Sequence, residues 1–189
     1  MFMFNIALIG FGAIGYRYYQ ALEKIDLSKK IFIIDQNQKV FDKVLKTKKN
    51  LVKISDKLSF LPKKIDLLIV ATTCNNRANL FSKLENLIKF KNLIIEKPLT
   101  QSPNELKKLN SFLKNKENTW VNTDRRSLTV YKEIKKQLQN DKKITMKVSG
   151  LSWGICCNGL HFLDLFSYLT NKNISSIKEK KNFIWVKSK

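Results

Sequence analysis

The sequence predicts an α/β protein, in which a doubly wound parallel sheet is followed by a shorter, truncated α+β portion. Short apolar segments rich in Ile, Leu and Val alternate with helical patterns over residues 1–122, and a glycine-rich turn joins the first segment to the first helix. Connections through helices make neighbouring strands parallel and cover both faces of the sheet. A chain of 189 residues with 43% hydrophobic residues can bury the core that this requires.

The predicted elements define two regions of the chain. Strands are predicted at 4–9, 31–34, 65–71, 93–95 and 120–122, and helices at 16–24, 76–90 and 103–114. Ser102, Pro103 and Glu105 give the third helix a cap, a first-turn proline and a first-turn acid. Beyond Asn122 the alternation ends, with helices predicted at 130–138 and 160–169 and strands at 144–148 and 182–186. We therefore predict two domains, residues 1–122 and a partial domain at 123–189.

The turn after the first predicted strand reads Gly10-Phe11-Gly12-Ala13-Ile14-Gly15. In this pattern the first glycine makes the tight turn, the second lets a pyrophosphate approach the backbone, and the third lets helix and strand pack closely. Ala13 and Ile14 open the helix, whose free N–H groups then face the phosphates. Asp35 ends the next strand, where its carboxylate can accept hydrogen bonds from ribose hydroxyls. Together these features predict a Rossmann dinucleotide-binding domain. The alternatives are that the glycines belong to an unrelated turn and that Asp35 is only a turn residue at the end of a strand.

Asp35 also bears on which dinucleotide is bound. A carboxylate repels the 2′-phosphate of NADP, and the next residues, Gln36 and Asn37, offer no arginine to compensate. The sequence therefore favours NAD over NADP.

The charge of the chain is strongly positive, at a formal +21. Such a charge often marks a nucleic-acid-binding protein. Only four of the 36 basic residues are arginines, however, and the lysines are scattered along the chain rather than clustered. We therefore expect no dedicated nucleic-acid site.

Three cysteines, Cys74, Cys156 and Cys157, form neither a paired framework nor a metal-ligand pattern. We expect no metal site, and this cysteine usage favours a reducing cytoplasm. The sequence also lacks a recognisable signal peptide and any apolar run of roughly 18 to 20 residues, so a membrane span is not expected.

A lysine follows the fourth predicted strand, at the edge where open α/β sheets bind ligands. The segment there is Glu96-Lys97-Pro98, and the segment after the third strand is Ala71-Thr72-Thr73. With the glycine turn, these motifs resemble the Gfo/Idh/MocA family of sugar and polyol oxidoreductases. The resemblance implies that Lys97 lies beside the nicotinamide and the substrate hydroxyl, usually before a cis proline, and that Thr72 and Glu96 lie along the cofactor.

The resemblance continues into the second predicted domain. Residues 122–126 resemble the segment that leads toward the substrate cleft, and residues 159–164 resemble the helix that brings a histidine to the substrate. This implies His161 as a catalytic residue or substrate ligand, with Arg126 and Asn158 as further substrate contacts. The alternative for His161 is a buried structural histidine. Many members carry an aspartate four residues before the histidine, whereas this chain has Cys157 there.

The implied function is an NAD-dependent dehydrogenase that moves hydride between the cofactor and a secondary alcohol of a sugar, cyclitol or nucleotide sugar. The chain corresponds to about the first half of a typical member. The alternative is therefore a nucleotide-binding module that is catalytically incomplete. A homo-oligomer or a partner chain that completes the substrate pocket is also expected.

Overall fold

The computed structural model describes residues 3–45, 51–114, 116, 118–141, 143–150 and 158–178. The chain divides into two compact units, Met1–Asn122 and Thr123–Lys189.

The first unit is built on a sheet of six parallel strands, and the predicted doubly wound fold is confirmed. In chain order the strands are β1 (Phe4–Ile9), β2 (Lys29–Ile34), β3 (Val52–Ser55), β4 (Lys64–Val70), β5 (Lys89–Ile95) and β6 (Thr119–Val121). Their spatial order is β3-β2-β1-β4-β5-β6. The order reverses direction at β1, and this reversal creates the crevice in which such sheets bind ligands.

Among the described residues of this unit there are four α-helices: α1 (Ala13–Lys24), α2 (Asp42–Leu45), α3 (Arg77–Leu87) and α4 (Pro103–Leu113). The central strand β1 is buried on both faces, with Ala7 and Ile9 in one hydrophobic cluster and Ile6 and Leu8 in the other. A strand covered by helices on both sides must be apolar at successive positions, as β1 is. Ser102 caps α4 as predicted, accepting a hydrogen bond from the Glu105 N–H at 3.2 Å.

The largest departures from the sequence prediction in this unit are a missed strand and the boundary between α3 and β5. Strand β3 was not predicted, because Val52 and Ile54 are the only apolar residues of a four-residue edge strand. Helix α3 ends at Leu87, and Phe90 belongs to β5. The pattern Lys89-Phe90-Lys91 alternates in the strand manner, and Phe90 packs against the core.

The second unit contains two helices among its described residues, α5 (Thr129–Gln137) and α6 (Leu160–Thr170). The strand predicted at 144–148 is wrong, because residues 143–150 form no regular secondary structure there. Apolar alternation alone does not make a strand, which also needs a hydrogen-bonded neighbour. The strand predicted at 182–186 lies outside the described residues. Within the described ranges, no helix is long and apolar enough to cross a membrane.

Asp66 is a buried carboxylate near the start of β4. It accepts a hydrogen bond from the Asn5 N–H at 3.0 Å and another from the Lys91 ammonium at 2.9 Å. The Asn5 N–H chiefly, and then Lys91, hold the pKa of Asp66 below its usual value, although burial opposes them. The ionised form of Asp66 therefore stabilises the fold.

The substitution Asp66→Asn should lower the free energy of unfolding by about 1 to 2 kcal/mol at neutral pH, because hydrogen bonds to a charged group are lost. The folded pKa of Asp66 lies below its unfolded value of about 3.9, so its contribution is complete above that value and disappears as pH falls through the folded pKa. The difference between wild type and variant should accordingly stay constant from neutral pH down to about pH 5 and shrink as pH falls further, to about pH 2. Urea unfolding across this range measures it, with Asp26→Asn as an exposed-carboxylate control. A difference that grows toward acid would contradict this role.

Candidate functional site

A cleft of about 650 Å³ opens at the carboxyl edge of the sheet in the first unit. It is bordered by the turns that follow β1, β2 and β4. Four residues predicted to hold the cofactor line it: Gly10, Gly12, Asp35 and Thr72. Further lining residues that were not predicted are Gln36, Asp56, Arg77 and Lys83.

The three glycines of the first turn have different steric surroundings. Gly10 has φ of +90°, and a Cβ there would lie 2.7 Å from the backbone nitrogen of Thr72. A Cβ on Gly15 would lie 2.0 Å from the carbonyl oxygen of Gly10. A Cβ on Gly12, in contrast, would meet nothing within 4 Å. Two glycines are therefore required by the protein's own packing, whereas Gly12 leaves space at the cleft.

The amino terminus of α1 faces this open space. Gly12 is its N-cap residue and supplies no side-chain cap. The N–H groups of the first turn lack carbonyl partners within the helix, and the helix dipole makes this end partially positive. Ala13 and Ile14 are both exposed. The arrangement fits an anionic group such as a pyrophosphate.

Asp35 is held by backbone groups on both of its carboxylate oxygens. Oδ2 accepts from the Phe11 N–H at 2.5 Å, and Oδ1 accepts from the Asn37 N–H at 2.8 Å. Because an ionised carboxylate can accept about four hydrogen bonds, the side chain keeps acceptor capacity. The contact with Phe11 also joins the end of β2 to the glycine turn.

Glu96 is 8% exposed and directly follows β5. Its Oε1 accepts from the Tyr18 hydroxyl at 2.8 Å and from the Asn122 side-chain amide at 2.5 Å. We predicted Glu96 as a cofactor contact, and that role remains a prediction. Tyr18 and Asn122 were missed because hydrogen bonds across 78 and 26 residues leave no local sequence pattern.

Lys97 is partly buried, and its peptide bond to Pro98 is cis, as the family resemblance implied. Beside this segment lies Arg77, the first residue of α3, whose side chain is 1% exposed. The Arg77 guanidinium donates to the carbonyl oxygens of Thr72 and Glu96, both at 2.5 Å. Sequence reasoning gave Arg77 no role, although an isolated arginine in a lysine-rich chain could have drawn attention to it.

In the second unit, His161 is the candidate catalytic residue. Its side chain is 15% exposed, and Nδ1 lies 3.6 Å from Oδ1 of Asp124. Asp124 was not assigned a role from the sequence. At this distance the contact is electrostatic and too long for a hydrogen bond.

Arg126 and Asn158 were the candidate substrate contacts. Arg126 makes a bidentate pair with Asp164, through Nε at 2.9 Å and through Nη2. The hydrogen bond to Asp164 is the main cause of the raised pKa of Arg126. Asn158 is half-buried at the entry to α6, and Cys157 lies outside the described residues. The substrate role of Arg126 therefore remains a prediction for a side chain that already has an acidic partner.

Comparison with known proteins places this geometry in a family. Residues 4–123 match the family model described as the Gfo/Idh/MocA oxidoreductase family, NAD-binding Rossmann fold. The match covers more than half of the chain. No curated protein matches the chain by sequence.

Solved structures with the same fold include several inositol dehydrogenases. The myo-inositol dehydrogenase from Lactobacillus casei, in complex with NAD(H) and myo-inositol, has a TM-score of 0.71 and 16% identity, covering 90% of this chain and 55% of its own. The myo-inositol 2-dehydrogenase from Lactobacillus plantarum has a TM-score of 0.70 and 19% identity, with coverages of 90% and 57%. The chain thus spans about half the length of these structures.

Alanine substitutions at Gly15 and Gly12 should distinguish a glycine needed for stability from a glycine needed for NADH binding. Gly15→Ala should lower the free energy of unfolding by about 2 kcal/mol or more, because its methyl group meets the Gly10 carbonyl. Gly12→Ala should cost less than about 1 kcal/mol. It should still weaken NADH binding by about tenfold or more, because the methyl group occupies the space in which a pyrophosphate would approach. Thermal unfolding and NADH fluorescence titration measure the two effects. Equal loss of stability in both variants would contradict the assignment.

Proposed function

Because this chain belongs to the Gfo/Idh/MocA oxidoreductase family, we propose that it binds NAD and moves hydride between that cofactor and a secondary alcohol. The observation that carries the proposal is the cleft at the carboxyl edge, where the glycine turn, Asp35 and Thr72 meet. Gly12 borders this cleft with open space, and α1 directs its amino terminus there. The residues present therefore fit a dinucleotide.

Gly10, Gly12 and Gly15 would shape the turn over which the pyrophosphate lies, with the N–H groups of Ala13 and Ile14 nearby. Asp35, oriented by its two backbone donors, would accept hydrogen bonds from the adenosine ribose. Its negative charge supports NAD over NADP. Thr72 and Glu96 would border the remainder of the cofactor.

Lys97 would carry the proton chemistry. When bound, the nicotinamide accepts hydride from the substrate carbon or returns it. In the oxidation direction, Lys97 as general base would take the hydroxyl proton while the substrate C–H bond gives up its electron pair as hydride and a carbonyl forms. In the reduction direction, the Lys97 ammonium returns that proton to the new alkoxide. Lys97, just after the carboxyl end of β5, would thus act as general base and general acid.

His161 would orient the substrate hydroxyl, with Asp124 helping to fix the imidazole. Asn158 and Arg126 would contribute hydrogen bonds to the sugar. The solved neighbours that are inositol dehydrogenases support a sugar, cyclitol or nucleotide sugar as the substrate. A homo-oligomer or partner chain would complete the pocket.

A second candidate is a nucleotide-binding module without turnover. It would need only the cleft of the first unit, in which Gly10, Gly12, Asp35 and Thr72 meet. Both candidates require NADH binding, and only the first requires hydride transfer.

Asp35→Ala should weaken NADH binding by about 10-fold to 100-fold, because hydrogen bonds to a charged group are lost. Asp35→Asn is the matched variant: it retains an acceptor oxygen and should mainly reduce the preference for NADH over NADPH. Fluorescence titration with both cofactors measures this. Wild-type protein that binds NADPH as tightly as NADH would contradict the proposed preference.

Lys97→Ala should slow hydride transfer by about 100-fold or more while leaving NADH affinity nearly unchanged, because proton transfer by a positioned side chain contributes this much. The assay follows NADH absorbance with a panel of cyclitols, sugars and nucleotide sugars. Lys108→Ala, at an exposed position of α4, is the control. NADH binding without turnover across the panel would favour the second candidate, and no NADH binding would overturn both.

A further inference from the structure

Arg77 is a buried charged residue to which the proposed chemistry gives no role. It begins α3, borders the cofactor cleft and is 1% exposed. Its Nη1 donates to the carbonyl oxygens of Glu96 at 2.5 Å, Pro98 at 2.7 Å and Leu99 at 3.2 Å. Its Nη2 donates to the carbonyl oxygen of Thr72 at 2.5 Å. One planar guanidinium therefore joins the segment after β4 to the segment after β5.

Two of these contacts hold the backbone on either side of Lys97 in the sequence. The carbonyls of Glu96 and Pro98, on either side of Lys97, are both held by the same nitrogen. The other nitrogen, Nη2, donates to the carbonyl oxygen of Thr72, a residue that lines the cleft. A displacement at Thr72 would thus be transmitted to the backbone on both sides of Lys97 through one rigid group.

Filling space in the core does not by itself explain a charged side chain at position 77. All four of its acceptors are neutral carbonyls, and burial lowers the pKa of the guanidinium. Its Nε is also buried, and no described residue accepts a hydrogen bond from it. An apolar side chain of similar length would avoid this desolvation. What it would lack is the planar fork that reaches several carbonyls at once.

We propose that Arg77 is a positioning residue, which couples occupation of the cofactor cleft to the placement of Lys97. This inference rests on the proposed function, because it takes the dinucleotide as the occupant of the cleft. Bound cofactor would contact the Thr72 segment, and the guanidinium would bring the Glu96-Lys97-Pro98 segment into its working position. Preorganisation of this kind controls rates because small displacements of a reacting group are costly.

The experiment measures the acetylation rate of Lys97 by an N-hydroxysulfosuccinimide ester, using mass spectrometry, with and without NADH. Lys108 in the same unit serves as the internal reference. The variants are Arg77→Met and Arg77→Lys, which removes the fork but keeps a charge, with Arg17→Met as the control for loss of an exposed arginine. Circular dichroism confirms folding, and Arg77→Gln replaces any variant that does not fold.

The expected result is that NADH protects Lys97 in wild type and in Arg17→Met. In both Arg77→Met and Arg77→Lys this protection should be lost, although NADH still binds within about threefold of the wild-type affinity, a change of under 1 kcal/mol. Without NADH, the Lys97 rate relative to Lys108 should also change in these variants only. Unchanged relative rates, or full protection in folded Arg77 variants, would overturn the proposal. Failure of wild type to bind NADH would instead overturn the proposed function, and the rates without NADH would still test the link between Arg77 and Lys97.

Discussion

The close approach between the first helix and the end of the central strand is the constraint on which the site depends. Gly15 lies so near the Gly10 carbonyl that no larger residue fits, and a Cβ on Gly10 would also clash with the backbone of residues 71 and 72. Phe11, between them, is fully buried and packs edge-on against the ring of Tyr19 at 5.7 Å. The turn is therefore fixed by core packing on one side and by backbone contacts on the other. The amino terminus of α1 is directed into the cleft as a result.

Hydrogen bonds to main-chain groups connect the other parts of this edge. Asp35 binds the Phe11 N–H, and Arg77 binds carbonyls after both β4 and β5. Glu96 accepts hydrogen bonds from Tyr18 of α1 and from Asn122 after β6. Loops at a sheet edge are usually the mobile parts of a domain, and such contacts restrict them. The carboxyl edge is thus organised around a few charged side chains whose partners come from different strands.

The sequence was sufficient to predict the fold of the first unit because its strands are continuous apolar segments and its first turn has mechanical requirements that only glycine meets. It also placed Gly10, Gly12, Asp35 and Thr72 in one site, and the structure brings these four to one cleft. It could not predict β3, a short edge strand with little apolar surface. The Arg77 and Tyr18 contacts were also inaccessible, since they join residues that are distant in sequence and follow no periodic pattern. In the second unit, residues 144–148 alternate between apolar and polar side chains but form no strand among the described residues, so alternation alone is not sufficient to predict one.

The central claim is that the edge formed by the glycine turn and Asp35 holds NAD in this chain. A crystal structure of the protein grown with NADH would test it most directly. The account predicts the pyrophosphate over Gly12 at the amino terminus of α1, with ribose hydroxyl oxygens about 2.6 to 3.0 Å from the Asp35 carboxylate. A dinucleotide bound elsewhere on the protein, or bound at this edge without contacting Asp35, would contradict it.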